Sequence, residues 1–266
     1  MDLLVISSGI AYLLATIAIV SRLFHPEGPN PKVYLPLAFV AIITHIIYRA
    51  LFFVIYTELD SFNISLPNII SLVSLCISIT VTVLALRYKL NLLLPVIYGF
   101  AGAWQLLLLF ILPEDIIPLA TSDIVLIAHI SLALIAYCVL VIATLFAFQV
   151  NYINYKLKNK KLHAVANLPP LMQVEKQLFS ILIAGTLILL ASQITGFIFL
   201  ENFMAKENAH KTVFSFIALS LYALILWGHF AQGWRGHKVL VLSVCASILL
   251  TLSYFGSRFV KEFLLT

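Results

Sequence analysis

The stretch DIVLIAHISLALIAYCVLVIATLFAF, residues 123–148, carries one charge, Asp123, at its start and none after it. It exceeds the roughly 20 residues that a helix needs to cross the hydrocarbon of a bilayer. It shows no alternation of polar and apolar residues. It therefore reads as a helix rather than a strand of a closed barrel, the only other element that satisfies its own backbone in lipid. One histidine, His129, stands about two turns into it, ~10 Å below its start at 1.5 Å per residue.

Seven further apolar stretches of similar length lie to either side: 3–22, 33–56, 67–86, 92–112, 177–200, 212–231 and 239–260. Between them stand HPEGPNPK (25–32), TELDSFN (57–63), RYK (87–89), PED (113–115), the polar stretch 151–176, ENFMAKENAHK (201–211) and GWRGHK (233–238). The composition agrees. Hydrophobic residues make up 62% of the 266 and charged residues 10%, against about 45–50% and about 25% in a soluble domain. Too few charges exist to coat a globule of this size. The expected fold is all-α: a polytopic membrane helical bundle of eight transmembrane helices, forming a single domain over 1–266, with no internal repeat.

Charge between the spans sets the orientation. The first, third, fifth and seventh loops hold eleven basic residues: Arg22, Lys32, Arg87, Lys89, Lys156, Lys158, Lys160, Lys161, Lys176, Arg235 and Lys238. The other loops and both tails hold four: Lys206, Lys211, Arg258 and Lys261. Basic residues stay on the cytoplasmic side, so both termini are expected to be extracytoplasmic. The location implied is the bacterial inner (plasma) membrane, crossed many times. The first stretch lacks the basic start of a signal peptide, since Asp2 is its one early charge, and it is expected to remain as a span.

Several chemistries find no support. Cys76, Cys138 and Cys245 all fall inside spans and none forms CxxC, so neither a disulfide framework nor a thiol redox pair is implied. No CxxCH is present, which removes covalent haem attachment to this chain. No phosphate-binding loop and no HExxH occur. No nucleophile constellation is evident, so no catalytic residue is assigned and enzyme activity is not expected. KLKNKK (156–161) reads as an orientation signal and a solvated helix end, not as a nucleic-acid site.

The informative residues are the polar ones inside the spans, because each charge at mid-bilayer costs about 2.5–3.5 kcal/mol on insertion scales. They are His45, Arg49, Gln105, His129, Gln193 and His229. His45 and Arg49 stand four apart and share a helix face. Arg49 could be satisfied by backbone carbonyls, could reach towards Glu58 or Asp60, or could clamp the carboxylate of a bound ligand. His229 lies near the cytoplasmic end of its span, in WGHFAQGWRG, where Trp227 and Trp234 suit the membrane interface. Gln105 and Gln193 read as hydrogen-bonding glue between helices. His25, His163 and His237 read as solvated loop residues, and His210 is left open. Neutral imidazole is a good axial ligand for haem iron, and it is equally a hydrogen-bonding partner between helices. Spacing alone leaves both open.

Taken in order, the segments resemble the cytochrome c assembly membrane proteins of the CcsA/CcmC/HemX type, above all the small YpjD-type inner membrane proteins of bacteria. The resemblance rests on THIIYR with His45, the N-x-x-SL stretch of Asn68, Ser71 and Leu72, LLLPVIY (92–98) and AHISLALIAYCVL (128–140). It continues through LPPLMQVEKQLF (168–179), ITGFIF (194–199), HKTVFSFIALSLYALILWGH (210–229), GWRGHK and LSYFG (252–256).

The resemblance implies a helical membrane protein that binds, delivers or presents haem through histidine ligands. His129 matches the outer-side haem histidine, His229 the histidine at the inner end of a later helix, and His45 the early-span histidine. The cofactor implied is non-covalent haem b, with His129 and His45 as the expected pair and Arg49 neutralising a propionate. His229 would serve a second, inner site.

Departures bound this reading. The haem-lyase branch carries a tryptophan-rich WWD loop, whereas ENFMAKENAHKT here has no tryptophan. Ala209 and His210 replace the usual Asp-Pro before Lys211, and no GLHSY-like histidine follows YFG (254–256). Cytochrome c synthase activity is therefore not expected. The resemblance implies an accessory role in haem handling or cytochrome complex assembly, with the lipid bilayer, haem and an apocytochrome or haem-pathway proteins as partners. Two alternatives stand beside it: a scaffold or regulator of haem biosynthesis that has lost the cofactor, and a permease component, for which the spans contain few Gly or Pro interruptions beyond Pro36, Pro95 and Gly99–Gly102.

Overall fold

The computed structural model describes residues 1–23, 25, 27–57, 61–63, 65–110, 118–120, 124–160, 168–199 and 209–256. Among them are eight α-helices: α1 (Asp2–Val20), α2 (Pro31–Thr57), α3 (Leu66–Ala85), α4 (Leu94–Leu107), α5 (Ile124–Lys158), α6 (Leu171–Phe199), α7 (Ala209–Gln232) and α8 (His237–Thr251). A π-helical turn, Leu252–Gly256, continues α8. Two three-residue strands, β1 (Ser61–Asn63) and β2 (Pro118–Ala120), complete the set. Seven helices are long and apolar enough to cross a membrane. The other, α4, has 14 residues and is lengthened at both ends by hydrogen-bonded turns (Leu94 N to Leu90 O, Phe110 N to Leu107 O). The chain is a polytopic helical membrane protein.

It divides into two compact units, Met1–Thr121 with Lys156–Pro169, and Ser122–Tyr155 with Pro170–Thr266. In the first unit α1 packs on α2 and α4, and α3 packs on the same two helices. The pattern of α1 explains its placement. Val5, Ser8, Tyr12, Ala15 and Ile19 are buried and recur every three or four residues, while Leu3, Ile10, Leu14 and Ile17 face outward. Prolines open helices where a missing N–H costs nothing: Pro67 in α3 and Pro95 in α4 are each the second residue of the helix, in its first turn. Pro36 lies inside α2, and the Lys32 carbonyl loses its helical donor there.

Without a hydrophobic force between helices in lipid, close backbone approach through small residues does the packing. Gly9 of α1 meets Gly102 of α4. A Cβ on Gly102 would lie 3.0 Å from the Gly9 carbonyl oxygen and from Leu13 and Tyr12. Gly102→Val is therefore expected to push α1 from α4 and to cost about 1–3 kcal/mol, read as a lower Tm of the purified protein in detergent. A Tm equal to that of the unmodified protein would show that this contact tolerates bulk.

The β1–β2 pair is antiparallel, with Ser61 opposite Ala120, Phe62 opposite Leu119 and Asn63 opposite Pro118. It ties the α2–α3 connection to the segment leading into α5. Hydropathy gives no sign of it, because three residues hold too little pattern.

In the second unit α7 packs on α6 and α8. Gly185 of α6 lies against Leu140 and Val139 of α5. The helix ends differ from the apolar stretches at one place above all. The segment 151–176 reads as a polar loop, yet α5 continues to Lys158 and α6 begins at Leu171. Apolarity marks only the part of a helix buried in lipid, whereas backbone hydrogen bonding carries the helix on into water. At 35 residues, α5 is ~50 Å long against a hydrocarbon thickness of ~30 Å. Lys156 and Lys158 in its last turn suit the negative end of the helix dipole.

Candidate functional site

His45 lies in the first unit, fully buried at 0% exposure. Its Nε2 is 3.0 Å from the Ser71 hydroxyl and also meets the Gln105 amide nitrogen. The same amide donates to Ser71 Oγ at 3.1 Å. Three helices thus each contribute one polar group to a single cluster. Tyr12 of α1 closes it edge-on, with ring centroids 6.0 Å apart. The His45 Nδ1 and Gln105 Oε1 atoms are buried without a partner.

One turn along α2, the Arg49 guanidinium donates through Nη1 to Asn68 Oδ1 at 3.1 Å and lies 5.1 Å from the centre of the Phe52 ring. Asn68 in turn donates to Ser65. Ser65, Asn68 and Ser71 recur every three residues, so one face of α3 serves both Arg49 and His45. The shared face expected of His45 and Arg49 is present. Glu58 and Asp60 lie outside the described residues. Gln105→Leu would leave His45 and Ser71 facing a buried methyl group. It is expected to cost about 1–3 kcal/mol, read as a lower Tm, with Gln105→Glu recovering part of the loss.

His129 and His229 lie in the second unit. His129 is half-buried on α5. Its Nδ1–H donates to the Ser192 carbonyl oxygen of α6 at 2.9 Å, and the Ser192 hydroxyl lies 3.5 Å from the His129 carbonyl oxygen. Donation from Nδ1 places the ring's lone pair on Nε2.

His229 shows the same arrangement at the end of α7. Its Nδ1–H donates to the Trp234 carbonyl oxygen at 3.1 Å. The local sequence builds this contact. Gly233, at φ +66°, takes the left-handed conformation that ends α7, and its N–H bonds the His229 carbonyl oxygen at 3.0 Å. The Trp234 N–H then bonds the Gly228 carbonyl oxygen. The Trp234 ring lies directly on Gly228, where any Cβ would collide with it. The glycines of GHFAQGWRG are thus what brings the carbonyl to the imidazole.

The His229 ring stacks on Phe179 of α6, centroids 3.4 Å apart. It lines a cavity of about 310 Å³ together with Met172, Glu175, Lys176, Phe230 and Arg235. Arg235 pairs with Glu175 at 3.3 Å. The contacts of the two histidines on α6, Ser192 and Phe179, are thirteen residues apart, about 20 Å at 1.5 Å per residue. These are two sites and not two ligands of one ion.

Gln105 and Gln193 join helices as expected, Gln193 by donating to Ser215 of α7. His25, His210 and His237 are exposed, and His163 lies outside the described residues. No group of three or more His, Cys, Asp or Glu side chains gathers among the described residues. Sequence reading missed what orients the imidazoles. The Ser192 and Trp234 contacts are backbone carbonyls, which any residue carries, and only the glycines around Trp234 mark a special backbone.

The family model described as Cytochrome C assembly protein matches residues 31–265. "Inner membrane protein YpjD" of Escherichia coli (strain K12) is 38% identical over 254 residues, covering 95% of each chain. An "Uncharacterized 28.8 kDa protein in nifR3-like 5'region" of Azospirillum brasilense is 29% identical over 140 residues, 52% of each chain. No solved structure gives a significant match. His45, His129 and His229 all fall within the matched range, and the chain belongs to the cytochrome c assembly protein family as a multi-pass inner membrane protein.

Proposed function

We propose that this protein binds haem b non-covalently and serves haem handling or cytochrome complex assembly in an accessory role. The observation that carries the reading is the shared arrangement of His129 and His229, each with Nδ1–H on a backbone carbonyl and the lone pair on Nε2. Metal-bound imidazoles are oriented in this way, because the outer hydrogen bond fixes the tautomer and raises ligand basicity. The cavity beside His229 suits an amphipathic macrocycle: Met172, Phe179 and Phe230 offer apolar and aromatic surface, while Lys176 and Arg235 offer donors for carboxylates.

Haem, when bound, supplies a redox-active iron and two propionate groups. His129 would hold iron at one end of the second unit and His229 at the other. His45 enters as a third imidazole, available once the Gln105 amide turns away from its Nε2. Arg49 keeps guanidinium N–H donors beyond the one on Asn68, enough to meet a propionate. By the distribution of basic residues, the His229 end faces the cytoplasm and both termini lie outside it.

The reading is tested by one absorption spectrum of protein purified from haem-replete cells. A Soret band is expected. Its absence, with none gained on addition of haem, would overturn the proposal.

A second reading draws on α5, whose last turns project past the span and carry Lys156 and Lys158. They give a scaffold or regulator of haem biosynthesis a basic docking surface. Co-purification of a haem-pathway protein that persists without all three histidines would favour it.

A further inference from the structure

The cavity beside His229 holds one group for which a carboxylate-binding site has no obvious use. Glu175 lines it together with Lys176 and Arg235. Arg235 is 65% exposed and Glu175 only 13%, so the acid is the member held inside. Its Oε1 lies 3.3 Å from Arg235 Nε. That oxygen is nevertheless buried with no hydrogen-bond partner. The two charges attract each other without the aligned N–H···O contacts that make Arg–carboxylate pairs strong. A buried charge is repaid for its lost hydration only where the geometry is good and further hydrogen bonds complete it. The pair is therefore a weak tether between the turn and α6, and parting it costs correspondingly little.

Its position ties it to the site. Glu175 stands one turn before Phe179 on α6 and shares its face, and the Phe179 ring stacks on His229 with centroids 3.4 Å apart. Arg235 follows Trp234, whose carbonyl oxygen accepts from His229. Gly233 and Gly236, at φ +66° and +62°, flank Trp234 and Arg235. Glycine reaches this and other backbone conformations at little steric cost, so Arg235 rides between two pivots and can turn from one carboxylate to another.

We propose, resting on the haem reading of this cavity, that Glu175 is an internal stand-in for a ligand carboxylate and that loading exchanges the two on Arg235. In the empty site Glu175 occupies the guanidinium. An incoming propionate takes the fork of Arg235 N–H groups with the paired contacts that Glu175 does not make, and Lys176 stands beside it for the second propionate. The freed Glu175 carboxylate turns to the solvent that the exposed Lys176 beside it already meets. On release the exchange runs back. Glu175 thus selects for a ligand that brings its own carboxylate, and it holds that ligand less tightly than two unopposed cations would. A protein that hands its ligand on needs both properties.

The test titrates iron-free protoporphyrin IX, a diacid, and its dimethyl ester into haem-free full-length protein in detergent, read by porphyrin fluorescence anisotropy. Without iron, imidazole ligation makes no contribution. Glu175→Gln keeps the shape of the side chain and removes its charge. It is expected to tighten binding of the diacid about fivefold, the factor that an ion pair with an exposed partner is worth at most, and to leave the diester unchanged. In an Arg235→Gln background there is no guanidinium to free, so the same change should shift the diacid by less than about twofold. Equal tightening in both backgrounds would assign the effect to plain charge repulsion and overturn the exchange. So would equal affinities of the unmodified protein and Glu175→Gln, tightening of the diester to the same extent, or no binding of the diacid by either protein. None of these results decides the haem reading, which stands or falls with the Soret band of the unmodified protein.

Discussion

The His129→Ala/His229→Ala double variant is expected to insert and fold as the unmodified protein does and to lose its Soret band. The two single variants should each retain about half of the haem. Mutation of an orienting partner alone weakens metal binding about 10–100-fold, so removal of the imidazole itself should exceed that. The fold should survive for a structural reason. Both rings are partly exposed, and the hydrogen bond of each to a backbone carbonyl costs about 1 kcal/mol to lose.

His45→Ala should behave in the opposite way. It strips Ser71 and Gln105 of their buried partner and should lower Tm while leaving most of the haem bound. Haem content by the pyridine haemochrome assay and Tm by intrinsic fluorescence, measured on the same preparations, separate the two outcomes. A double alanine variant that holds haem at the ratio of the unmodified protein would sink the assignment of these imidazoles.

The contrast between the histidines shows what could be read in advance. Apolar length was enough to find every helix, because lipid forces the backbone to bond within the segment. The rarity of charge was enough to single out Arg49, and its spacing from His45 placed both on the face that α3 meets. The resemblance paired His129 with His45 and set His229 apart at a second, inner site. What separates them lies across the helix packing. His45 faces a hydroxyl and an amide, whereas His129 and His229 face main-chain carbonyls. Carbonyls carry no residue identity, so that difference cannot be written in the sequence. The β1–β2 pair and the reach of α5 into water were illegible for a different reason. Neither depends on apolar pattern.

Gly228→Val is expected to empty the His229 site and spare the His129 site, although residue 228 itself offers no ligand. The Trp234 ring lies on the bare Cα of Gly228, and any side chain there must displace it. The Trp234 carbonyl moves with its ring, because Gly233 is the pivot of the turn, and His229 then loses the acceptor that fixes its tautomer. Losing such an outer contact weakens metal binding about 10–100-fold, so haem content should fall towards one per chain from two. The overpacked turn should also cost about 1–3 kcal/mol. The displaced indole should fluoresce further to the red as it enters water.

Trp234→Phe supplies the discriminating comparison. It keeps a ring on Gly228 and leaves the backbone carbonyl in place, so haem at His229 should persist. Full haem content in Gly228→Val, with the indole visibly displaced, would mean that the carbonyl does not orient the imidazole. Loss of haem in Trp234→Phe would instead assign the contribution to the indole and its Lys238 contact. The two variants therefore test whether backbone placement, through glycines alone, makes His229 a ligand.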